Sequence, residues 1–314
     1  MSARRRSLQL AIALALVAAL EGLARQVPVG DDPSRLFSLY GANGYEMIHK
    51  LPDATAFLSG AHQLLEPDEA LMWRLRPSLE MDAASLSLGV PRDWTIAISA
   101  DGRRLPAASS EVIALGDSCT FGWGVDGAES WPARLGAVNL GVPGYSSVQG
   151  AEVARRVQGA RASSVIIAAF GANDGHAVTV GDAARLEGRQ TTVGQLRYRV
   201  SQLALITRIR AIRYPQWAAG QVDAWRAGQA TVRVTPSRYR QALDDIRAQT
   251  ERLILLDVCA RDEYRAIMRA QSTEHDVALV TYTALGGETL DGCHPTPEGH
   301  RRIAAAIEAL LTEP

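Results

Sequence analysis

Lysine is almost missing from this sequence: Lys50 stands alone, so nearly all of the 33 basic residues are arginine. The basic residues are balanced by 34 acidic ones, a net charge of -1. That balance removes the basic footprint a nucleic-acid binder needs. Cysteine is scarce too. Cys119, Cys259 and Cys293 form no CxxC pair, which excludes a zinc ribbon and a disulfide-rich miniprotein. A GxSxG pentapeptide is absent, and with it the nucleophile elbow of the α/β-hydrolases. Against these absences, 47% of the 314 residues are apolar and 21% charged. Such a chain can bury a sizeable core, and neither disorder nor a multi-pass membrane protein fits it.

The N-terminus has its own character. Arg4, Arg5 and Arg6 precede an uncharged apolar run from Ser7 to Leu20, closed by Glu21 and Arg25. A positive segment followed by an apolar one predicts an export signal, cleaved after Ala19 or Ala24, or an uncleaved anchor to the inner membrane. The run is shorter than the ~20 residues that span a bilayer comfortably. Cysteine is absent before Cys119, so a lipoprotein anchor is excluded. The expected location is therefore exported, periplasmic or otherwise extracytoplasmic, with residues 1–26 as signal peptide or membrane anchor.

From 27 to 108 the pattern is irregular. Alternation around Trp94, Ile96 and Ile98, followed by Asp101-Gly102, predicts a small β-containing extension ending in a turn. Beyond Glu111 short apolar runs alternate with helical ones. Strands are expected at Val112–Leu115, Ala137–Leu140, Ser164–Phe170, Leu253–Val258 and Val277–Val280, the third of them central because it is almost wholly apolar. Helices are expected at Val148–Val157, Val193–Ile212, Pro236–Thr250, Arg261–Ala270 and Pro297–Leu311, and Thr179–Thr192 reads as a long polar loop. The alternation predicts an α/β fold: a three-layer parallel sheet with helices on both faces. In such sheets chemistry gathers at the carboxyl ends of the strands.

Four short blocks fall at those ends or near the C-terminus: Gly116-Asp117-Ser118, Asn139 to Gly144, Gly171-Ala-Asn173-Asp174, and Asp291-Gly-Cys-His294. Singly, each reads as a turn, a cap or a structural histidine. Together they could do acyl chemistry. A serine hydroxyl is unreactive until a base takes its proton. Asp291 lies three residues before His294, so it can hold one ring nitrogen protonated and leave the other to serve as that base. The oxyanion of a tetrahedral intermediate needs donors, and the Ser118 N–H, the Gly144 N–H and the Asn173 side-chain amide can supply them.

In this order the four blocks resemble the SGNH (GDSL-type) hydrolase superfamily of serine esterases, lipases, thioesterases and carbohydrate acyl-esterases, over roughly Glu111 to the C-terminus. The resemblance implies an SGNH/flavodoxin-like hydrolase domain at 109–314 after an N-terminal extension at 27–108. It implies Ser118 as nucleophile, Asp291 and His294 completing the triad, and Ser118, Gly144 and Asn173 as oxyanion donors, with no cofactor and no metal. Gly116 to Val125 and the stretch Arg233-Val-Thr-Pro-Ser-Arg-Tyr239 also resemble an envelope-directed bacterial branch of that superfamily. The implied activity is cleavage of an O-acyl ester or thioester in a small molecule, a lipid or an acylated glycan. The same triad would serve an acyltransferase moving acetyl groups on an envelope glycan. A non-catalytic glycan- or lipid-binding envelope protein is a third reading, disfavoured because a binding module needs no Asp to orient a base. No nucleic-acid partner is expected.

Other readings of these residues are poorer. Gly122-Trp-Gly124-Val-Asp-Gly127 matches GxGxxG but does not directly join a strand to a helix. Asp291, His294 and His300 could be metal ligands, yet the Asp-x-x-His pair lacks a clear third ligand. Asp117 and Asp174 are expected to hydrogen-bond the loops carrying Ser118 and Asn173, and Trp73, Trp94, Trp123 and Trp131 are expected to pack rather than line a pocket. The cysteines are expected to be small buried hydrophobes. A triad would bring Cys119 near Cys293, however, and an oxidising compartment would allow that pair to close, with Cys259 as a rival partner.

Overall fold

The computed structural model describes residues 3–26, 63–86, 93–158, 165–178, 180–201 and 231–312, together with 203, 206, 223 and 227–229. Its centre is a sheet of five parallel strands, β5 (Val112–Gly116), β6 (Val138–Gly141), β7 (Val165–Ala169), β10 (Arg252–Asp257) and β11 (Ala278–Thr281), in the order β11-β10-β7-β5-β6. Each strand lies within a residue or two of its expected place, and the apolar β7 is the middle strand. From β5 the chain first goes to β6 on one side and then to β7 on the other. That reversal opens a crevice at the carboxyl edge beside β5, where ligands bind in open α/β sheets.

Side chains of each strand alternate between two cores. Ile113, Leu115, Ile166 and Ala168 point to one face, with Leu243, Ile246 and Met268. Ala114, Ile167 and Ala169 point to the other, with Trp131, Ile303 and Ile307. Both faces are covered, so the strands read as nearly continuous apolar runs. The first core is closed by α4 (Ser147–Gln158), α7 (Pro236–Arg247) and α8 (Asp262–His275), the second by the short α3 (Trp131–Arg134) and α9 (Pro297–Thr312). Start signals are local. The Thr235 hydroxyl accepts from the Arg238 N–H at 3.4 Å with Pro236 at the first helical position, and α8 carries Asp262 and Glu263 in its first turn.

The stretch Thr179–Thr192 is not the expected loop. It contains α5 (Asp182–Gln190), followed by α6 (Thr192–Ser201). Leu186 is the one large apolar side chain that α5 buries, so the segment reads as polar despite its helical periodicity, and its other anchor is a buried carboxylate, Asp182. The remainder of the helix expected to run to Ile212 lies outside the described residues, apart from isolated positions.

Two antiparallel pairs precede the sheet: β1 (Leu65–Asp68) with β2 (Met72–Leu75), and β3 (Glu80–Asp82) with β4 (Thr95–Ala97). The Asp101-Gly102 turn forms, with Gly102 at φ 78°. Leu65, Trp73, Trp94 and Ile96 share the first core with Leu115 and Tyr145. A small pair, β8 (Ala177–Val178) with β9 (Thr231–Val232), lies beyond β7. The N-terminal segment is a helix, α1 (Ala3–Gln26), with Ile12, Leu14, Leu16, Val17, Leu20 and Leu23 exposed. Among the described residues no helix is long and apolar enough to cross a membrane.

Candidate active site

Ser118 opens a single helical turn, α2 (Ser118–Phe121), directly after β5. Asp117 caps that turn by accepting from the Cys119 N–H at 2.9 Å. Ser118 stays partly exposed while Asp117 and Cys119 on either side are buried. The Ser118 Oγ lies 2.8 Å from His294 Nε2. His294 Nδ1 lies 2.6 Å from Asp291 Oδ2. The serine, the imidazole and the carboxylate thus form one chain of hydrogen bonds, though Asp291 stands more than 170 residues from Ser118 in sequence.

The loop of the fourth block is built on that carboxylate. Asp291 Oδ1 accepts from the Cys293 N–H at 3.1 Å and the His294 N–H at 2.9 Å. Partial burial pushes the Asp291 carboxyl up, but the hydrogen bonds from the His294 ring and from the two backbone N–H groups outweigh it and hold the group well below the usual carboxylate range. Asp291 is therefore a charged acceptor at neutral pH, which fixes the hydrogen on Nδ1 and leaves Nε2 as acceptor toward Ser118. Trp123 tilts against the His294 ring at 6.1 Å between centroids. Gly124 lets this loop close: at φ 86° its absent Cβ would fall 2.3 Å from Leu290 Cδ1, one residue before Asp291. Of the three glycines in Gly122 to Gly127, Gly124 packs against the fourth block, Gly122 against Ser130 and Gly127 against the Leu105 carbonyl.

Gly144 and Asn173 follow β6 and β7, the strands on either side of β5, and both are partly exposed. The Asn173 amide donates one hydrogen bond to Asp117 Oδ2 at 2.8 Å; a primary amide carries a second N–H. Burial pushes the Asp117 carboxyl up, against the pull of the Cys119 N–H, the nearby His294 ring and the Asn173 amide. Asp174 ties the third block to the start of α4. It accepts from the Ser147 N–H (2.9 Å), the Ser147 hydroxyl (2.5 Å) and the Gly171 N–H (2.9 Å). Burial pushes Asp174 up to about 6 despite those donors. Both aspartates therefore hold the loops assigned to them from sequence. Asn139, at the head of the second block, donates to the Thr120 carbonyl at 3.1 Å and so joins β6 to α2.

His300 takes no part. It is buried, its Nδ1 accepts from the Trp131 N–H at 3.2 Å, and burial pushes it down to about 3. Trp73, Trp94 and Trp131 are buried as packing residues. The cysteines differ from the preferred expectation. Cys259 and Cys293 are joined by a disulfide, with Cα atoms 5.2 Å apart, while Cys119 is a buried free thiol whose Sγ lies 3.7 Å from that of Cys293. The partner of Cys293 is thus Cys259, just past β10, because the turn after that strand and the loop before His294 meet at one sheet edge. These three residues are the group of metal-ligating types that comes together among the described residues, and the disulfide occupies two of them.

Two residues beside the site carry no role in the sequence reading. Arg233 is fully buried, opposite an equally buried Asp182, with Nη2 to Oδ2 at 2.6 Å. It also donates to the Gly144 carbonyl at 2.8 Å. The Asp182 Oδ2 takes a further bond from the Ser146 hydroxyl at 2.7 Å. The only sequence signal for Arg233 is its place in the Arg233–Tyr239 stretch, and none marks Asp182.

A serine, a histidine and an aspartate so linked, at the carboxyl edge of a parallel α/β sheet, have the geometry a serine hydrolase requires. The sequence profile of the GDSL-like lipase/acylhydrolase family matches residues 114–302, and the chain belongs to that family of ester-hydrolysing enzymes. Similar solved structures include TesA (16% identity, 64% of this chain and 97% of that one, TM-score 0.41). They also include the esterase EstA from Pseudoalteromonas sp., inhibited by monoethylphosphonate (11%, 64% and 98%, 0.40), and a carbohydrate acetylesterase family member from Sinorhizobium meliloti (12%, 65% and 97%, 0.40). No curated protein sequence matches the chain significantly.

Proposed function

We propose that the enzyme cleaves acyl esters through an acyl-enzyme on Ser118. The observation that carries this reading is the unbroken array from Ser118 Oγ through His294 to Asp291, at 2.8 and 2.6 Å. His294 Nε2 takes the hydroxyl proton as Oγ adds to the ester carbonyl. The negative charge passes to the carbonyl oxygen, where the Ser118 N–H, the Gly144 N–H and the second Asn173 N–H receive it. The tetrahedral adduct expels the alcohol, which leaves with the proton from Nε2. Water then repeats the sequence on the acyl-serine and releases the acid. Asp291 stays charged throughout and stabilises the imidazolium formed twice per turnover.

The substrates proposed are acyl esters of a small molecule, a lipid or a glycan, and the location proposed is extracytoplasmic, with the N-terminal segment as signal or anchor. The arginine cluster before the apolar run and the six apolar side chains exposed on α1 support that placement. A panel of acyl esters run against wild type and Ser118→Ala tests the activity. Turnover is expected from wild type alone, and equal turnover by both proteins would refute Ser118. For the location, a phosphatase fused after Pro314 is expected to be active; a silent fusion on a stably expressed chain would contradict export.

A further inference from the structure

Gly144 lies between two peptide groups, and each is held by a buried side chain from elsewhere in the chain. The Gly144 N–H belongs to the peptide that also contains the Pro143 carbonyl. That carbonyl accepts from Trp73 Nε1 at 3.2 Å. A trans peptide is planar with its C=O and N–H pointing in opposite directions, so a donor fixed on the Pro143 oxygen aims the Gly144 N–H the other way. On the far side of Gly144, whose φ is 81°, the next carbonyl accepts from Arg233 Nη1 at 2.8 Å.

The two holders are themselves joined. The Arg233 guanidinium sits over the Trp73 ring, 5.7 Å from its centroid. The Tyr145 hydroxyl donates to the Trp73 carbonyl at 2.6 Å, and its ring meets the indole edge-on. Gln149 reaches the Leu71 carbonyl at 2.7 Å. Arg233 is oriented by Asp182 and also reaches Gln149 Oε1 at 3.2 Å. Trp73 and Arg233 are both fully buried, so water cannot replace either bond and each keeps its directional force.

We infer that Trp73 and Arg233 are positioning residues for the oxyanion loop, and that the β1–β2 hairpin is therefore part of the catalytic unit. The inference rests on the proposed role of Gly144. Neither residue touches the reacting atoms. Both act by fixing a glycine that has no side chain of its own to restrain it and whose conformational freedom is otherwise large. Such a group contributes only when charge develops on the substrate oxygen, so its loss lowers kcat and leaves ground-state binding alone.

The test uses the full chain. Trp73→Phe removes the single Nε1–H donor and keeps an aromatic ring in the core. Expected are a kcat lowered about tenfold, a KM within about twofold of wild type, and an equal loss of affinity for a boronate that forms a tetrahedral adduct on serine. Arg233→Lys keeps a cation opposite Asp182 but cannot reach Asp182, Gln149 and Gly144 together, and the same split is expected. A folded Trp73→Phe with kcat within twofold of wild type overturns the inference, as does a change confined to KM. Failure of both variants to fold also counts against it, because the contacts would then be core packing. Active Ser118→Ala would defeat the catalytic reading itself, whereas inactive Ser118→Ala beside fully active Trp73→Phe defeats only this inference.

Discussion

Replacing Asp291 by asparagine changes one atom and inverts the hydrogen-bond logic of the site. In the wild type Asp291 Oδ1 accepts from the backbone of Cys293 and His294, and Oδ2 accepts from His294 Nδ1 at 2.6 Å. The asparagine oxygen keeps the backbone donors, since only an acceptor fits there. Its NH2 group must then face Nδ1. A neutral imidazole answers by moving its hydrogen to Nε2, which points a donor at Ser118 Oγ, 2.8 Å away. The base can no longer take the serine proton. Tautomer inversion in a triad costs a factor on the order of 10⁴ in kcat, or about 5.5 kcal/mol of transition-state stabilisation. Asp291 is half exposed, so the fold should survive. The assay is hydrolysis of a p-nitrophenyl ester near neutral pH, with circular dichroism and thermal melting as controls for folding. A loss below about tenfold in a folded Asp291→Asn protein would falsify the assignment of Asp291 as the group that orients His294.

Asn173→Ala is expected to lower kcat by ~10²–10³ with little change in KM; an effect seen in KM alone would reassign the amide to ground-state binding. The denatured, unreduced protein should titrate one free thiol, and peptide mapping should link Cys259 to Cys293. Three free thiols or a Cys119 link would contradict the structure. Reduction should destabilise the enzyme by up to about 4 kcal/mol, the chain-entropy value for a closed loop with a separation of 34 residues; an unchanged melting temperature would refute this. Asp174 gives a pH signature. Burial raises its folded pKa to about 6, above the ordinary carboxylate value of 3.8, so the native state holds a proton longer than the unfolded state. Its contribution to stability therefore falls as pH rises through that interval. The stability difference between wild type and Asp174→Asn should shift against wild type from about pH 4 to 6, and a parallel pair of curves would show that burial does not control this group.

The sheet was legible because its five strands are apolar on both faces and are separated by amphipathic helices. That Ser118, Asp291 and His294 meet was legible because the proposed acyl chemistry calls for those side chains and their blocks fall at a strand end and near the C-terminus. Asp117 and Asp174 could be read as loop braces for the same reason, since each sits beside a residue to which the proposed chemistry assigns a role. Hidden from sequence was what comes from afar. α5 reads as polar because it buries one large apolar side chain, Leu186, and its first turn is anchored by Asp182, a carboxylate whose partner Arg233 lies 51 residues away. Trp73 could be read as packing, which it is, but no local pattern tells which carbonyl its Nε1 meets 70 residues on. The pairing of Cys259 with Cys293 depends on which turn reaches the His294 loop, and sequence spacing does not encode that.

The central claim is that Ser118 attacks an acyl carbon. A fluorophosphonate probe followed by peptide mapping tests it most directly, because the probe stops at the covalent step and needs no knowledge of the substrate. The account predicts one adduct per chain, on the peptide containing Ser118, and no labelling of Ser118→Ala or of the heat-denatured enzyme. An adduct elsewhere, or equal labelling of wild type and Ser118→Ala, would contradict it.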